Sequence, residues 1–222
     1  MSERPPKKPK TELLIVTPVW GAYDVTRKMI EAVSKNTDRP FFHVLINDNY
    51  EQSFREAGFE PDDNHVFIDL YNDPKGSMHV EQIGKVMDLG LAFGKNFTAF
   101  TYLVKLETDC IVQPHWDTIL IEEMNASKDC LMMEAYSVDT EEGAEPKIPE
   151  QIHTYPKDWC EMNLCIFSPK MMNFNWSFSA TPHAVDQHLS RNIRTQSNEC
   201  TIYETTKTWI THYRSSSRKN YT

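Results

Sequence analysis

The sequence lacks the glycine-rich signatures of the common nucleotide enzymes. The segment Thr17-Pro-Val-Trp-Gly21 follows the first apolar run, and it cannot form the GxGxxG loop that binds a dinucleotide. No GxxxxGK[ST] motif occurs, which excludes a P-loop NTPase, and no GxSxG motif of an α/β-hydrolase occurs either. Hydride transfer, NTP hydrolysis and hydrolase chemistry therefore lack their usual sequence markers.

Paired cysteines and long apolar runs are also missing. The chain of 222 residues has five cysteines, without a CxxC pair or zinc-type spacing, so we interpret them as reduced packing residues. No apolar run reaches the roughly 18 residues that cross a bilayer, and residues 1–10 contain Pro and Lys but no signal-type apolar segment. These features predict a cytoplasmic protein without a transmembrane segment. The net charge of −9 makes nucleic acid an unlikely partner.

Apolar segments of two periodicities alternate along the first half of the chain. This alternation predicts an α/β fold, with a mostly parallel central sheet flanked by helices. We expect residues 1–10 to form a flexible tail and residues 11–222 to form one domain. The expected strands are 13–18, 41–46, 65–70 and 100–106, and the expected helices are 24–35 (with Asp24 as N-cap), 78–95 and 116–124.

The second half has fewer clear signals. The acidic region Ser127–Pro156 is typical of a long exposed loop, which in a compact domain is often a functional lid. We expect a strand over 159–167, a helix over 184–193 and a short strand over 200–203. In the helix over 78–95, the glycines Gly84, Gly90 and Gly94 are compatible with a stable helix only if backbones approach closely there.

Acidic residues follow three of the predicted strands. Glu107 and Asp109 end a buried run, Asp48 follows the second strand and Asp69 ends the third. In a parallel sheet these strand ends lie at one edge, where open α/β sheets bind ligands, and carboxylates there can hold a divalent cation. For Glu107, Asp109 and Asp48 a solvated or turn role remains open, and for Asp69 we favour the structural role.

A histidine and a basic cluster lie near the C-terminus. His212 precedes Arg214, Arg218 and Lys219, which form a dense positive patch suited to a diphosphate. A solvated basic tail is the alternative. His183 and His188 are five residues apart, so we interpret them as surface histidines rather than a helical metal pair.

Six segments together resemble the family 2 glycosyltransferases, which have the GT-A fold. The resemblance extends from Leu13 to Ser217 and rests on the order and spacing of the segments. They are Leu14-Ile-Val-Thr-Pro-Val-Trp20, Ile46-Asn-Asp-Asn49, Gly90-Leu-Ala-Phe-Gly-Lys95, Leu106-Glu-Thr-Asp-Cys-Ile-Val-Gln-Pro-His-Trp116, Val185-Asp-Gln-His-Leu-Ser-Arg191 and Ile210-Thr-His-Tyr-Arg-Ser-Ser-Ser217.

The resemblance implies a single GT-A domain and a glycosyltransferase of the EC 2.4 class. Such an enzyme moves a sugar from a nucleotide-diphospho-sugar to an acceptor hydroxyl, by a single displacement with inversion. The resemblance implies that Asp109 and His212 bind Mn²⁺ or Mg²⁺, while Glu107 touches the ribose or a metal-bound water. The resemblance does not identify the acceptor, which would be a glycan, a lipid-linked molecule or a protein.

The remaining implied roles concern the nucleotide and the base. Pro18, Trp20 and Asp48 would bind the nucleotide, with Trp20 stacking on the base and Asp48 fixing the nucleoside. Asp186 would be the catalytic base that deprotonates the acceptor hydroxyl.

Three alternative functions differ in the residues that they require. Glu107 and Val185 replace acids that are common in the family, which favours a noncatalytic nucleotide- or carbohydrate-binding protein on the same fold. A nucleotidyltransferase would carry a Gly-rich basic loop after the first strand, and residues 17–23 contain none. The acidic composition also argues against a DNA-modifying glycosyltransferase.

Overall fold

The computed structural model describes residues 10–48, 51–70, 79–141, 144–173, 185–196 and 201–213. Within these ranges the helices are α1 (Tyr23–Asn36), α2 (His79–Phe97), α3 (Trp116–Ala126) and α4 (Val185–Gln196), with a 3₁₀ turn over Pro169–Asn173. The strands are β1 (Leu13–Val19), β2 (Phe41–Asn47), β3 (His65–Asp69), β4 (Tyr102–Leu106), β5 (Cys110–Val112), β6 (Met132–Asp139), β7 (Thr154–Pro156), β8 (Leu164–Phe167) and β9 (Ile202–His212).

All of these strands join one mixed sheet in the order β3-β2-β1-β4-β8-β6-β9-β5, and β7 pairs with β9. The predicted α/β class, with a mostly parallel sheet flanked by helices in a single domain, is confirmed. One core cluster packs Met29 of α1 and Trp116 of α3 against the sheet. A second cluster packs Met87 of α2 and Leu189 of α4 against the sheet.

The first half of the sheet is parallel. β1 pairs in parallel with both β2 and β4, and β2 pairs in parallel with β3. All seven residues of β1 are buried, as a strand covered by helices on both faces requires. The carboxyl ends of β2, β1 and β4 therefore lie side by side.

The glycines of α2 allow it to pack closely on β1. A Cβ atom at Gly90 would lie 2.4 Å from Cγ1 of Val16, and one at Gly94 would lie 2.4 Å from Cδ2 of Leu14. Both distances are shorter than any ordinary contact, so larger residues would force the helix away from the sheet. The close approach inferred from the sequence is confirmed at these two positions.

The beginning of α1 differs from the prediction. Asp24 is not the N-cap: that position belongs to Ala22, which makes no side-chain capping bond. Asp24 lies in the first turn, where a carboxylate still interacts favourably with the positive end of the helix dipole.

The second half of the sheet is mixed, and here the sequence-based expectations are partly wrong. β8 runs antiparallel to β4 and β6, while β6 and β9 are parallel. Residues 132–139 form strand β6, not part of an exposed loop, and β9 continues to His212 instead of ending near residue 203. The expected strand over 159–167 is only β8. A buried glutamate in β6 and alternating threonines in β9 conceal both strands from a hydrophobicity pattern.

Two further predictions, on membrane-spanning helices and on the cysteines, are tested for the described residues. Among the described residues, no helix is long and apolar enough to cross a membrane. Four cysteines are free and buried, as expected for packing thiols, and Cys200 lies outside the described residues.

Candidate functional site

The candidate site lies at the carboxyl edge of the parallel strands. Pro18 lies in β1, Trp20 follows this strand at once, and Asp48 follows β2, where it is buried. The backbone N–H of Asp48 donates to the carbonyl of Val19 at 3.0 Å, which ties the two strand ends together. Glu107 follows the adjacent β4, so the fold gathers all four predicted nucleotide-binding residues at one edge.

Asp69, the third strand-end acid, has the structural role that the sequence favours. Its Oδ1 accepts hydrogen bonds from the amide group of Asn47 at 2.7 Å and from the backbone of Phe54 at 2.9 Å. These bonds fix the segment that follows β2. Asp69 therefore stabilises the backbone next to the sheet edge where Asp48 lies.

The turn that carries Glu107 and Asp109 is anchored on both sides. Between the two acids, Thr108 is buried, and its hydroxyl lies 2.9 Å from that of Thr26 in α1. The backbone N–H of Glu107 donates to the carbonyl of Asn163 at 2.8 Å. A turn held from two elements presents its carboxylates in a defined direction, which a binding site needs.

Asp109 and His212 come together across the sheet. β5 runs antiparallel to β9 with Cys110 opposite His212, so Nε2 of His212 lies 3.4 Å from Oδ1 of Asp109. The backbone N–H of Tyr213 also donates to the carbonyl of Asp109 at 3.0 Å. These two residues, far apart in sequence, therefore form one oxygen–nitrogen pair of the kind that binds divalent metals.

A third residue of this group, Asp139, escaped the sequence analysis. Its Oδ1 lies 3.0 Å from Nδ1 of His212, and the two residues are register partners in β6 and β9. A carboxylate on the far ring nitrogen is the usual device for orienting a metal-binding histidine. The sequence signal for this strand was the mainly apolar segment Met132–Asp139, which Glu134 interrupts and which we assigned to a loop.

Two carboxylates act on the pKa of His212. Burial lowers this pKa, but hydrogen bonds and charge from Asp109 and Asp139 raise it, and the net pKa lies above its ordinary value. The two acids therefore stabilise positive charge at this position.

Cys110 lies close to Asp109 and His212, but its thiol is poorly suited to the same metal ions. One atom each of Asp109, Cys110 and His212 lie within 4.8 Å of one another. Burial raises the pKa of the Cys110 thiol well above its usual range, as do the neighbouring acids Asp109 and Glu107. A neutral thiol is a poor ligand for Mn²⁺ or Mg²⁺, which prefer oxygen, so Asp109 and His212 are the better candidates.

Glu107 has a partner that the sequence analysis did not anticipate. Its carboxylate forms an ion pair with the ammonium group of Lys105, and Lys105 also donates to the carbonyl of Met162. The side chain of Lys105 is almost fully buried, while that of Glu107 keeps 25% of its surface exposed. The lysine neutralises Glu107, which leaves Asp109 as the acid of this turn that is not paired with a lysine.

Asp186, the predicted base, lies in the first turn of α4. Its carbonyl accepts from the hydroxyl of Ser190 at 2.7 Å, and its Oδ1 accepts from the backbone of Gln187 at 2.8 Å. Cys160 contacts the same carbonyl at 3.9 Å. Residues 160–163 therefore connect α4 to the Glu107 turn, because Asn163 accepts the hydrogen bond from Glu107.

A second acidic cluster lies inside the sheet. Glu134 in β6 and Glu204 in β9 are register partners, and Lys157 reaches Glu134 at 3.2 Å and Glu204 at 2.5 Å. Burial and the Glu134 carboxylate raise the pKa of Glu204 to about 7. Burial also raises the pKa of Glu134, despite the opposing effect of Lys157.

This buried cluster holds the segment before β8. Oε1 of Glu134 accepts the backbone N–H groups of Glu161 at 2.8 Å and Met162 at 2.7 Å. Met162 has a left-handed backbone with φ of 59°, a conformation that costs energy for a non-glycine residue and persists only when neighbours impose it. Glu134 and Lys105 impose it by bonding to the N–H and the carbonyl of this residue.

Several predicted features fall outside the described residues. They are the basic patch of Arg214, Arg218 and Lys219, the histidine His183, and residues 1–9 of the predicted tail. His188 lies in α4 with Nε2 2.9 Å from the amide nitrogen of Asn192.

No family model and no curated protein matches this chain. Solved structures of S. aureus TarS, a glycosyltransferase, do share its fold. TarS 1–349 superposes with a TM-score of 0.62 at 12% identity, over 91% of this chain and 60% of that one. A second TarS structure superposes with a TM-score of 0.63 at 11% identity, over 91% and 36% of the two chains.

TarS 1–349 in complex with UDP-GlcNAc superposes with a TM-score of 0.59 at 12% identity, over 90% of this chain and 58% of that one. This chain therefore spans about 60% or less of each TarS chain. At such low identity the likeness establishes the fold alone: this chain has the fold of S. aureus TarS.

Proposed function

We propose that this protein is a metal-dependent glycosyltransferase of the family 2 type that uses a nucleotide-diphospho-sugar. The observation that carries the proposal is the pairing of Asp109 with His212 at the carboxyl edge of a glycosyltransferase fold. An isolated acid at a strand end is common. An acid and a histidine joined from two strands, with Asp139 behind the histidine, is a donor set for a cation.

The donor set fits Mn²⁺ or Mg²⁺. Asp109 supplies a carboxylate oxygen and His212 a ring nitrogen, and Lys105 removes Glu107 from direct competition by pairing with it. When bound, the metal would stabilise negative charge on the departing diphosphate. Both divalent ions accept oxygen ligands, and an imidazole ligand favours Mn²⁺ over Mg²⁺.

The nucleotide would occupy the adjacent strand ends. Trp20 is half-buried and offers a ring face to the base, while Asp48 offers a buried carboxylate to the nucleoside. Pro18, in the same strand as Val19, keeps the backbone extended before Trp20. Glu107 keeps 25% of its side-chain surface exposed, and this part would contact the ribose or a metal-bound water.

Asp186 would act as the base that accepts the proton of the acceptor hydroxyl, giving inversion. The support is its position at the start of α4, next to the segment that bonds to the Glu107 turn. One carboxylate oxygen is already held by the backbone of Gln187, which fixes the side chain.

The first experiment is calorimetric titration of the full chain with UDP, with and without Mn²⁺. UDP is the first choice because S. aureus TarS has been crystallised with UDP-GlcNAc. We expect Asp109→Ala to abolish the Mn²⁺-dependent part of UDP binding, because the site then has no carboxylate ligand.

Asp63→Ala is the matched control, since this acid is exposed in the segment before β3. Equal Mn²⁺-dependent affinity in the wild type and in Asp109→Ala would contradict the metal site. Thermal shifts with GDP-, CMP- and dTDP-sugars then define the donor, and a turnover assay with the stabilising donor tests transfer.

A noncatalytic binding protein on the same fold is the second candidate. The ion pair between Glu107 and buried Lys105 favours it, because it consumes one acid of the pair that would otherwise face the donor. The two candidates differ in turnover: donor binding without sugar transfer or donor hydrolysis would favour the binding protein.

A further inference from the structure

A pocket lies beside α4, outside the edge where Asp109 and His212 meet. It has a volume of about 320 Å³ and is lined by Asp158, Trp159, Gln187, Ser190, Arg191 and Arg194. This is at the small end of the range for ligand sites and suits one or two sugar rings. One lining residue, Gln187, directly follows Asp186 in the chain. Another, the buried Ser190, donates its hydroxyl hydrogen to the Asp186 carbonyl at 2.7 Å.

Trp159 contributes an aromatic side chain to this pocket, and it is 47% exposed. Its neighbours in the chain are anchored: Asp158 accepts hydrogen bonds from Arg194, including one to Oδ1 at 2.8 Å, and the N–H of Cys160 donates to the hydroxyl of Ser190 at 3.2 Å. Nζ of Lys157 lies 5.8 Å from the centre of the Trp159 ring. An exposed aromatic surface of this kind suits the C–H face of a sugar ring.

The charge of the pocket favours an anion. Arg194 is paired with Asp158, whereas Arg191 is exposed and has no ion-pair partner within the described part of the chain. In a protein with a net charge of −9, this guanidinium marks a local reversal of sign. Its planar set of donors matches the two oxygens of a carboxylate or phosphate.

We propose that this pocket binds the acceptor, and that the acceptor is a saccharide carrying a phosphate or carboxylate group. The sugar ring packs on Trp159, the anionic group pairs with Arg191, and a hydroxyl reaches towards Asp186. The acceptor role rests on the proposed function. The binding of an anionic saccharide rests on the pocket alone.

The test is ligand-observed NMR titration of the full chain with four probes. They are glucose 6-phosphate, glucuronic acid, methyl glucoside and inorganic phosphate. We expect the two anionic sugars to bind, with the neutral sugar and inorganic phosphate at least about tenfold weaker, because each lacks one of the two contacts. The ratio of the two anionic sugars distinguishes phosphate from carboxylate.

Two variants locate the binding. Trp159→Ala and Arg191→Ala should each weaken the preferred anionic sugar by about tenfold, while the affinity for UDP with Mg²⁺ stays unchanged. Ile152→Ala and Lys35→Gln are matched controls, since both residues are exposed and neither lines the pocket. Both controls should leave saccharide binding unchanged.

Three results would overturn the inference: no binding of any sugar, equal binding of neutral and anionic sugars, or unchanged affinity in both pocket variants. Inorganic phosphate as tight as glucose 6-phosphate would reduce the pocket to a simple anion site and also overturn it. Failure of UDP to bind in the wild type, with saccharide binding intact, would instead contradict the proposed function and leave the pocket standing.

Discussion

In the described part of the protein, two clusters each consist of two carboxylates that flank one basic side chain. The surroundings of the two clusters differ. In the first cluster, Asp109 and Asp139 flank His212 at the sheet edge, where the side chain of Asp139 is 42% exposed. In the second, Glu134 and Glu204 flank Lys157 within the sheet, and both glutamates are buried. The side chains of Asp109 and His212 (7% and 14% exposed) are as buried as those of Glu204 and Lys157 (8% and 16%). The clusters differ in their second carboxylate, because Asp139 is exposed and Glu134 is buried. We therefore call the first cluster open and the second closed.

The comparison shows that the partners of a carboxylate indicate its role better than its residue type. Both carboxylate oxygens of Glu134 bond within the protein, one to two backbone N–H groups and the other to Lys157. Glu134 therefore stabilises the segment before β8. Asp109 instead faces a histidine at 3.4 Å, a distance longer than a good hydrogen bond, which a cation could bridge. The open cluster is suited to a ligand and the closed one to holding the backbone.

The largest expected effect concerns a residue outside both clusters. Asp186→Asn should lower turnover by roughly 10²–10⁴-fold, because an amide cannot accept the acceptor proton, while UDP and Mn²⁺ still bind. Steady-state kinetics with the donor found by thermal shift provides the measurement. A near-normal kcat in this variant would mean that another residue is the base.

Breaking the closed cluster should destabilise the fold. Glu134→Ala leaves Lys157 without one partner, and the N–H groups of exposed Glu161 and buried Met162 without an acceptor. We expect a loss of about 3 kcal/mol in the free energy of unfolding. Urea titration followed by circular dichroism measures it. The open-cluster counterpart, Asp139→Ala, should change the stability by less than about 0.5 kcal/mol. Equal losses in both variants would remove the distinction between the clusters.

Breaking the open cluster should weaken metal binding instead. Asp139→Asn removes the charge that orients and polarises His212, and we expect about a tenfold loss of Mn²⁺ affinity, with little change in unfolding. Calorimetric titration of UDP at fixed Mn²⁺ concentrations gives the affinity. Thr140→Ala, one residue further along, is the neighbouring control, and an affinity loss of the same size there would point to a general disturbance of this segment.

The smallest effect is a pH dependence of the closed cluster. Because the pKa of Glu204 in the folded protein is raised from 4.5 to about 7, the folded state binds the proton more tightly than the unfolded state. The stability contributed by this group is therefore full below about pH 4.5 and falls as the pH rises to about 7. Urea titrations at several pH values should show this fall in the wild type and a flatter profile in Glu204→Gln. Identical profiles would mean that Glu204 does not carry the proton.

The sequence allowed much of the first half to be predicted. The observed β1, β2, β3 and α2 lie within a few residues of the expected ranges, because apolar runs and helical periodicity report local burial directly. β6 was missed because Glu134 interrupts its apolar pattern, and a sequence does not reveal that Lys157 neutralises this charge. The same omission concealed Asp139, which lies at the end of that strand.

The sequence by itself determined the alternation of strands and helices in the first half, the acidic turn at residues 107–109 and the condition that another element approaches α2 closely at its glycines. Each of these depends on neighbours in the chain or on the size of one residue, such as Gly90. The family resemblance implied that Asp109 and His212 share a site, but only the tertiary structure showed that Asp139 contacts His212 and that Lys105 pairs with Glu107. The first of these groupings depends on the order of β6, β9 and β5 in the sheet, and such non-local pairing leaves no periodic trace in a single sequence.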